Sequence, residues 1–322
     1  VIVSVVIFLI RRNIIKIKRF WSDEMKGWPK TDADVILYVE IALMSLFLTM
    51  NASDYWLQIN STNPIYIQAG SFPISQFITP IFDSFTVETV IFIERSAWWL
   101  HIIGIFLFLN YLYYSKHLHI LLAFPNTYFA NLESKGKFSN LKSVTDEVKL
   151  MLDPSADPYS NNTSNNEVLK FGASDVFDLS KIQLLNSYTC TECGRCTSEC
   201  PANQTGKKLS PRKIMMDTRD RLEEVGKNID KNNGEYKPDG KQLLNNHISS
   251  EELWACTSCN ACVQACPIGI DPLSIIMDMR RYLVMEQSAA PSELNNMMSN
   301  IENNGAPWPF NQMDKLNWYN EK

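Results

Sequence analysis

The sequence predicts a mainly α protein in two parts. A transmembrane helical bundle, with three spans visible and the first partial, is followed by a helical domain organised around cysteine. Three observations predict this. The mean hydropathy of −0.15 hides a sharp split: residues 1–130 are apolar and aromatic, whereas 131–322 are polar and rich in Asn, Lys, Glu and Asp. Two apolar runs in the first part have the length of a membrane span. All eight cysteines fall in the second part, in two runs of one pattern. The formal net charge of −5 gives no reason to expect nucleic-acid binding.

Residues 1–123 form the expected membrane domain. Val1–Ile10 is apolar but too short to cross a bilayer alone. It reads as the tail of a span whose start precedes Val1. Arg11, Arg12, Lys16, Lys18, Arg19, Lys26 and Lys30 follow as a basic loop. The second span is expected over 35–53 and the third over 96–114. Between them, 54–85 holds no Lys or Arg, and Pro64, Pro73 and Pro80 break any long helix. Positively charged loops stay on the cytoplasmic side, so the 11–30 loop is placed inside and 54–85 outside. The third span then delivers the rest of the chain to the cytoplasm, in agreement with Lys116, Lys135 and Lys137. Trp98 and Trp99 are read as an outer aromatic belt.

His101 and His119 lie eighteen residues apart, five full turns of an unbroken helix, which puts them on one face about 27 Å apart. That separation suits two haems stacked across a bilayer, each taking an imidazole from this helix. His117 falls off that face. Glu40, inside the second span, reads as a solvated carboxylate near the cytoplasmic end or as a proton path to a quinone. Arg95 reads as a haem-propionate partner or a snorkelling arginine.

Residues 124–180 read as a linker, with a mobile polar stretch at 153–166. The domain at 181–322 is built on two runs: Cys190, Cys193, Cys196 and Cys200 before Pro201, and Cys256, Cys259, Cys262 and Cys266 before Pro267. Each reads C-x-x-C-x-x-C-x-x-x-C-P. In paired [4Fe–4S] clusters of this spacing, three cysteines of a run bind one cluster and the fourth binds the other. Cys190, Cys193, Cys196 and Cys266 are therefore assigned to cluster 1, and Cys256, Cys259, Cys262 and Cys200 to cluster 2. The reason is geometric. Three cysteines on one turning loop reach three corners of a cubane, but the loop cannot also wrap to the fourth. The proline then turns the chain away. Zinc, with four tetrahedral ligands usually drawn from two C-x-x-C pairs, suits this pattern poorly. Disulfides need an oxidising compartment, which the expected topology denies them.

Around the runs, 181–186 is expected as a short helix. Ser210-Pro211 should open a helix to about Val225, and Asp271-Pro272 one to about Met285. A polar insert is expected at 227–241. The runs start 66 residues apart, at Cys190 and Cys256, too far for a compact β-hairpin ferredoxin. The expectation is an α-helical dicluster ferredoxin. Arg195, Arg212, Lys213, Arg280 and Arg281 read as a solvated helix face, or as charges that offset the clusters or dock an acidic partner.

These residues carry a resemblance. FGASDVFDLSKIQLLNSYTCTECGRCTSECPANQTGKKLSPRKI resembles membrane iron–sulfur subunits related to heterodisulfide reductase, and NNGAPWPF resembles the end of the same module. RSAWWLHIIGIFLFLNYLYYSKHLHIL is similar to the last helix of the nitrate reductase gamma-subunit-like haem b domain. That domain has five spans, with one haem histidine near each face on the last and their partners on the second. The resemblance implies that these are spans three to five, that His101 and His119 are haem b ligands, and that their partners precede Val1. Relatives include electron-transfer-flavoprotein:menaquinone oxidoreductases, which also carry a cysteine-rich CCG domain. No adjacent Cys-Cys pair occurs here, so a CCG-domain or flavoprotein subunit becomes an expected partner. The implied function is a membrane electron-transfer subunit of a respiratory quinone-linked oxidoreductase, multi-pass in the cytoplasmic membrane with its clusters facing the cytoplasm. The alternative is a membrane-tethered iron–sulfur sensor or scaffold without haem or quinone chemistry.

Overall fold

A computed structural model of the chain describes residues 1–134, 136–153, 170–310 and 312–320. The polar stretch expected at 153–166, beyond Asp153, and Lys135 lie outside the described residues. Among the described residues the protein is helical, with no strand and one isolated bridge between Leu244 and Ile248. It divides into two compact units that interleave along the chain. The first comprises Val1–Asn131, Leu185–Cys200 and Gln264–Ile270; the second comprises Leu132–Leu184, Pro201–Val263 and Asp271–Lys322.

The first unit contains α1 (Ile2–Leu9), α2 (Trp28–Asn60), α3 (Val87–Leu112) and α4 (His119–Tyr128). Gly27, at φ +83°, turns the chain into α2, and Pro29 sits in its first turn. Thr86 caps α3 by accepting from the Thr89 N–H. Two described helices, α2 and α3, are long and apolar enough to cross a membrane. In their most apolar stretches only 6% and 17% of residues are buried, so these faces are not used up in a protein core. The third, partial span expected at 1–10 is not among them, because α1 has eight residues. α2 runs beyond the expected 35–53 at both ends, to 33 residues, whereas α3 starts nine residues before Ser96 and stops at Leu112, two short of the expected limit at 114.

One further expectation is corrected. α3 starts at Val87, with Trp98 and Trp99 some 17 Å along it, and stops at Leu112. A turn over Lys116–Leu118, capped by Ser115 accepting from the His117 N–H, intervenes before α4 begins at His119. His101 and His119 therefore do not share one continuous helix, and the phase argument linking them does not hold.

α2 and α3 pack along their length. At one end Ala52, Trp56, Leu57, Phe82 and Val90 form a buried cluster, with Trp56 Nε1 donating to Asp83 at 2.9 Å. Midway, Gly104 lets the helices close up: a Cβ there would stand 2.7 Å from Leu43 Cδ2.

The second unit contains α5 (Lys142–Leu152), α9 (Pro211–Lys231), α10 (Leu243–Asn246), α11 (Ser250–Ala255), α13 (Pro272–Arg281) and α14 (Ser292–Asn304). The short α6 (Lys181–Thr189), α7 (Arg195–Ser198), α8 (Pro201–Gln204) and α12 (Ala261–Ala265) flank the cysteine runs. Both expected caps are present: Ser210 accepts from the Lys213 N–H and Asp271 from the Ser274 N–H. The helix expected to end near Val225 runs on to Lys231, so the first five residues of the 227–241 insert are helical. Gly172, at φ +78°, is a point of close approach, where a Cβ would stand 2.2 Å from the Asp278 carbonyl oxygen.

The unit is tied together by a charge on its apolar face. Ile214, Thr218, Arg221 and Val225 form the buried stripe of α9. Arg221 is fully buried, and its guanidinium grips Asp175 at 2.9 and 3.0 Å, Asp239 at 2.6 Å and the Lys241 carbonyl at 2.8 Å. Removing one partner of a buried ion pair strands the other without water. Arg221→Met should therefore destabilise the fold by about 3–5 kcal/mol. Arg221 also holds the Asp239 carboxyl well below its usual range. A carboxyl whose folded pKa is depressed contributes stability above its unfolded pKa, about 3.9, and loses it as pH falls further. Wild type should lose stability below about pH 4 more steeply than the variant does, as read by circular dichroism melts across the acid range.

Candidate metal centre and its cavity

The two cysteine runs repeat one backbone design. In the first, α6 ends at Thr189 and Cys190 follows. Glu192 at φ +59° and Gly194 at φ +74° flank Cys193, and Cys196 sits in α7. In the second, α11 ends at Ala255 and Cys256 follows. Ser258 at φ +56° and Asn260 at φ +60° flank Cys259, and Cys262 sits in α12. Left-handed conformations at equivalent positions, three of them without glycine, are unfavourable on their own. They wrap each loop so that three thiols are carried round one turning segment.

None of the eight cysteines is in a disulfide. Cys190, Cys200 and Cys262 are buried, Cys259 is exposed, and the others lie between. Among the described residues, no group of three His, Cys, Asp or Glu side chains gathers as a single metal ion requires. Zinc would need four donors about 2.3 Å from one point. The C-x-x-C-x-x-C spacing carried round each wrapped loop is that of [4Fe–4S] ligands. The Ser258 N–H points at Cys256 Sγ at 3.4 Å, the kind of amide-to-sulfur bond that stabilises a thiolate ligand. Segments 185–200 and 264–270 share the first unit, so Cys190, Cys193, Cys196, Cys200 and Cys266 lie in one compact body, and Cys256, Cys259 and Cys262 in the other.

The cations expected to form a solvated face are mostly engaged within the fold. Arg212 is 1% exposed. Lys213 bridges Asp217 at 2.6 Å and Glu252 at 2.8 Å. Burial pushes the Asp217 carboxyl up to about 6. Arg280 donates to the carbonyls of Leu253 and Cys256, bracing the entry to the second loop, and Arg281 pairs with Asp278 at 2.8 Å.

A cavity of about 740 Å³ opens in the first unit. That lies within the usual range of cofactor sites, roughly 300–1,000 Å³. Val5, Phe8, Met25, Ile36 and Leu37 give it an apolar body. Glu40, His117, His119 and Cys193 also line it, so a cysteine of the first run and two histidines face one space. Arg11, Arg12, Arg19 and Lys116 supply positive charge. His101 is not part of this lining. Glu40, read from the sequence as solvated or functional, is a wall of the cavity. Burial holds the His117 imidazole below its ordinary pKa, with the neighbouring His119 adding to the effect.

His101 Nδ1 lies 2.9 Å from the Leu43 carbonyl oxygen, and His119 Nδ1 lies 2.9 Å from that of Lys116. A carbonyl only accepts, so Nδ1 is the donor in both rings and a neutral imidazole keeps its lone pair on Nε2. Ligand histidines are characteristically held in this way. Arg95 pairs with Glu94 at 2.9 Å and so has an anion within its own helix. His247 lies in the second unit, 3.4 Å from Glu224.

Sequence reasoning missed a buried polar chain on the cavity wall. Asp32 accepts from Tyr111 Oη at 2.5 Å and from the Lys116 N–H at 3.0 Å. Lys116 Nζ donates to the Pro29 carbonyl and to Glu192 Oε2. The partners are too far apart in sequence for any local pattern to reveal them.

Residues 189–270 match the 4Fe-4S dicluster domain family. The chain is 32% identical over 256 residues to a probable iron-sulfur-binding oxidoreductase, FadF, of Bacillus subtilis, covering 70% of this chain and 33% of that protein. It is 27% identical over 307 residues to the EtfAB:quinone oxidoreductase of Syntrophomonas wolfei, covering 89% of this chain and 40% of that protein. A probable membrane-anchored ferredoxin of Chromohalobacter salexigens is 32% identical over 165 residues, 46% of this chain and 24% of that protein. No solved structure matches. The homologues are iron–sulfur oxidoreductases and related electron carriers that share a dicluster domain. The chain spans only a third to two-fifths of the first two.

Serine replacement separates the two ligand sets. Cys190→Ser, Cys193→Ser, Cys196→Ser and Cys266→Ser should each disturb the same cluster, leaving the other's EPR spectrum and about four of eight irons. A Cys266→Ser spectrum that matched Cys256→Ser instead would reassign Cys266 to its own run.

Proposed function

We propose that the chain is the membrane electron-transfer part of a quinone-linked iron–sulfur oxidoreductase. It relays electrons between a cytoplasmic partner, of CCG-domain or flavoprotein type, and the quinone pool through two [4Fe–4S] clusters and haem b. α2 and α3 cross the cytoplasmic membrane, with the cysteine runs on the cytoplasmic side. The observation that carries this reading is the cavity that Cys193 and His119 line together. Cys193 of the first run and His119 border one space beside the start of α2, which supports an electron path between a cluster and a haem there.

Cys190, Cys193, Cys196 and Cys266 hold one cluster, and Cys256, Cys259, Cys262 and Cys200 the other, as their spacing assigns. His119 and His101 each offer Nε2 to a haem, with Nδ1 fixed on a backbone carbonyl. The cations on the cavity wall suit propionates. A partner segment would supply the remaining haem ligands. When bound, these groups supply one-electron transfer, while the residues hold them, exclude water and set their surroundings. Glu40 and His117, on the same wall, are placed to exchange protons where a two-electron carrier is reduced.

The experiment is a reduced-minus-oxidised absorption spectrum of the full-length protein, purified anaerobically in detergent. Sharp haem b bands are expected, with His119→Ala and His101→Ala each removing part of the haem while iron–sulfur absorbance stays. A broad iron–sulfur bleach with no haem band in wild type would leave a membrane-tethered ferredoxin, and the haem assignment would fall.

A further inference from the structure

Glu192 stands between Cys190 and Cys193, and its carboxylate is 2% exposed. It meets the Lys116 ammonium, 8% exposed, at 2.5 Å. Lys116 is set in the turn between α3 and α4, where its N–H is held by Asp32 and its ammonium also reaches the Pro29 carbonyl. Asp32 in turn holds Tyr111 of α3. One connected path therefore joins the start of α2, the end of α3 and the loop that carries three ligands of the first cluster.

The second loop solves the same backbone problem without a charge. The residue equivalent to Glu192 is Ser258, whose hydroxyl meets Arg280 and Met277 of its own unit. A buried carboxylate is thus not a requirement of the wrapped loop. Nor is a buried ion pair needed for stability, since apolar residues of similar volume do as well or better in such places. What the pair adds is a directional tether. Asn126 of α4 supplies a second one, donating at 2.9 Å to the Ile268 carbonyl, two residues beyond Cys266.

We infer that Lys116 is a positioning residue: through Glu192 it fixes the loop of Cys190, Cys193 and Cys196 against the ends of α2 and α3, and so sets the rate of electron exchange between the first cluster and the membrane acceptor. This rests on the electron path proposed above. In that exchange the reduced cluster is oxidised by one electron as ferric haem is reduced by one. No proton or bond is involved, so separation and orientation govern the rate.

The test uses full-length protein carrying Lys116→Met, Lys116→Arg, Glu192→Gln or the Met/Gln pair. Two readouts are taken: amide hydrogen exchange over residues 190–196, and the rise of the ferrous haem band after photoreduction of the clusters. Lys116→Met should keep both cluster EPR signals and full iron, yet exchange about tenfold faster in that loop and transfer on the order of tenfold slower. Lys116→Arg should restore both, and the double variant should be no worse than Lys116→Met, as expected for partners in one interaction. Unchanged exchange in Lys116→Met overturns the tether. Loss of the first cluster in that variant also overturns it, in favour of a role in holding the metal. Normal transfer despite a loosened loop overturns the control of rate. Absence of haem reduction in wild type counts against the electron path alone, and the exchange data still decide whether Lys116 fixes the loop.

Discussion

The buried polar chain of Asp32, Lys116 and Glu192 is the constraint on which the first unit depends. Each member alone would be costly to remove from water. Together they satisfy one another: a phenol and a backbone amide on Asp32, a carbonyl and a carboxylate on Lys116. Burial still pulls the Lys116 pKa down despite the neighbouring carboxylates. Such a chain has few ways to be satisfied, and that gives it directional authority which apolar packing lacks. It fixes how α2 and α3 meet at this end and where the first cysteine loop sits against them.

Arg221 plays the corresponding part in the second unit. It gathers Asp175 from one segment and Asp239 with the Lys241 carbonyl from another onto α9. Capping at Ser210, Ser249 and Asp271 sets where the helices around it begin. The cysteine loops then need only local geometry. Their left-handed residues are tolerated because helices on either side leave the chain no other course.

What could be read from the sequence followed the range of the interactions. The cysteine runs, the Ser210 and Asp271 caps and the existence of two long apolar helices are local patterns, and each is present. The break between α3 and α4 was also signalled locally, by Ser115 as a cap, but the apolar run across it was stronger and masked it. That error carried the pairing of His101 with His119 on one helix face. Arg221 sits on the stripe of Ile214, Thr218 and Val225, but the reading of basic residues on these helices did not include it. Lys116 and Glu192 could not have been paired at all, because nothing near either residue specifies a contact across 76 positions.

The 33 residues of α2 amount to roughly 50 Å of helix, about 20 Å more than the hydrocarbon of a typical bilayer. In the membrane-spanning role proposed for α2, that overhang would let the helix take up differences in lipid thickness by tilting. Its first turns, where Pro29 and Asp32 sit, would then form a plinth above the apolar layer. The charged joint belongs to that plinth, so a thinner or thicker membrane would change the lean of the helix and leave the seating of the first cysteine loop intact.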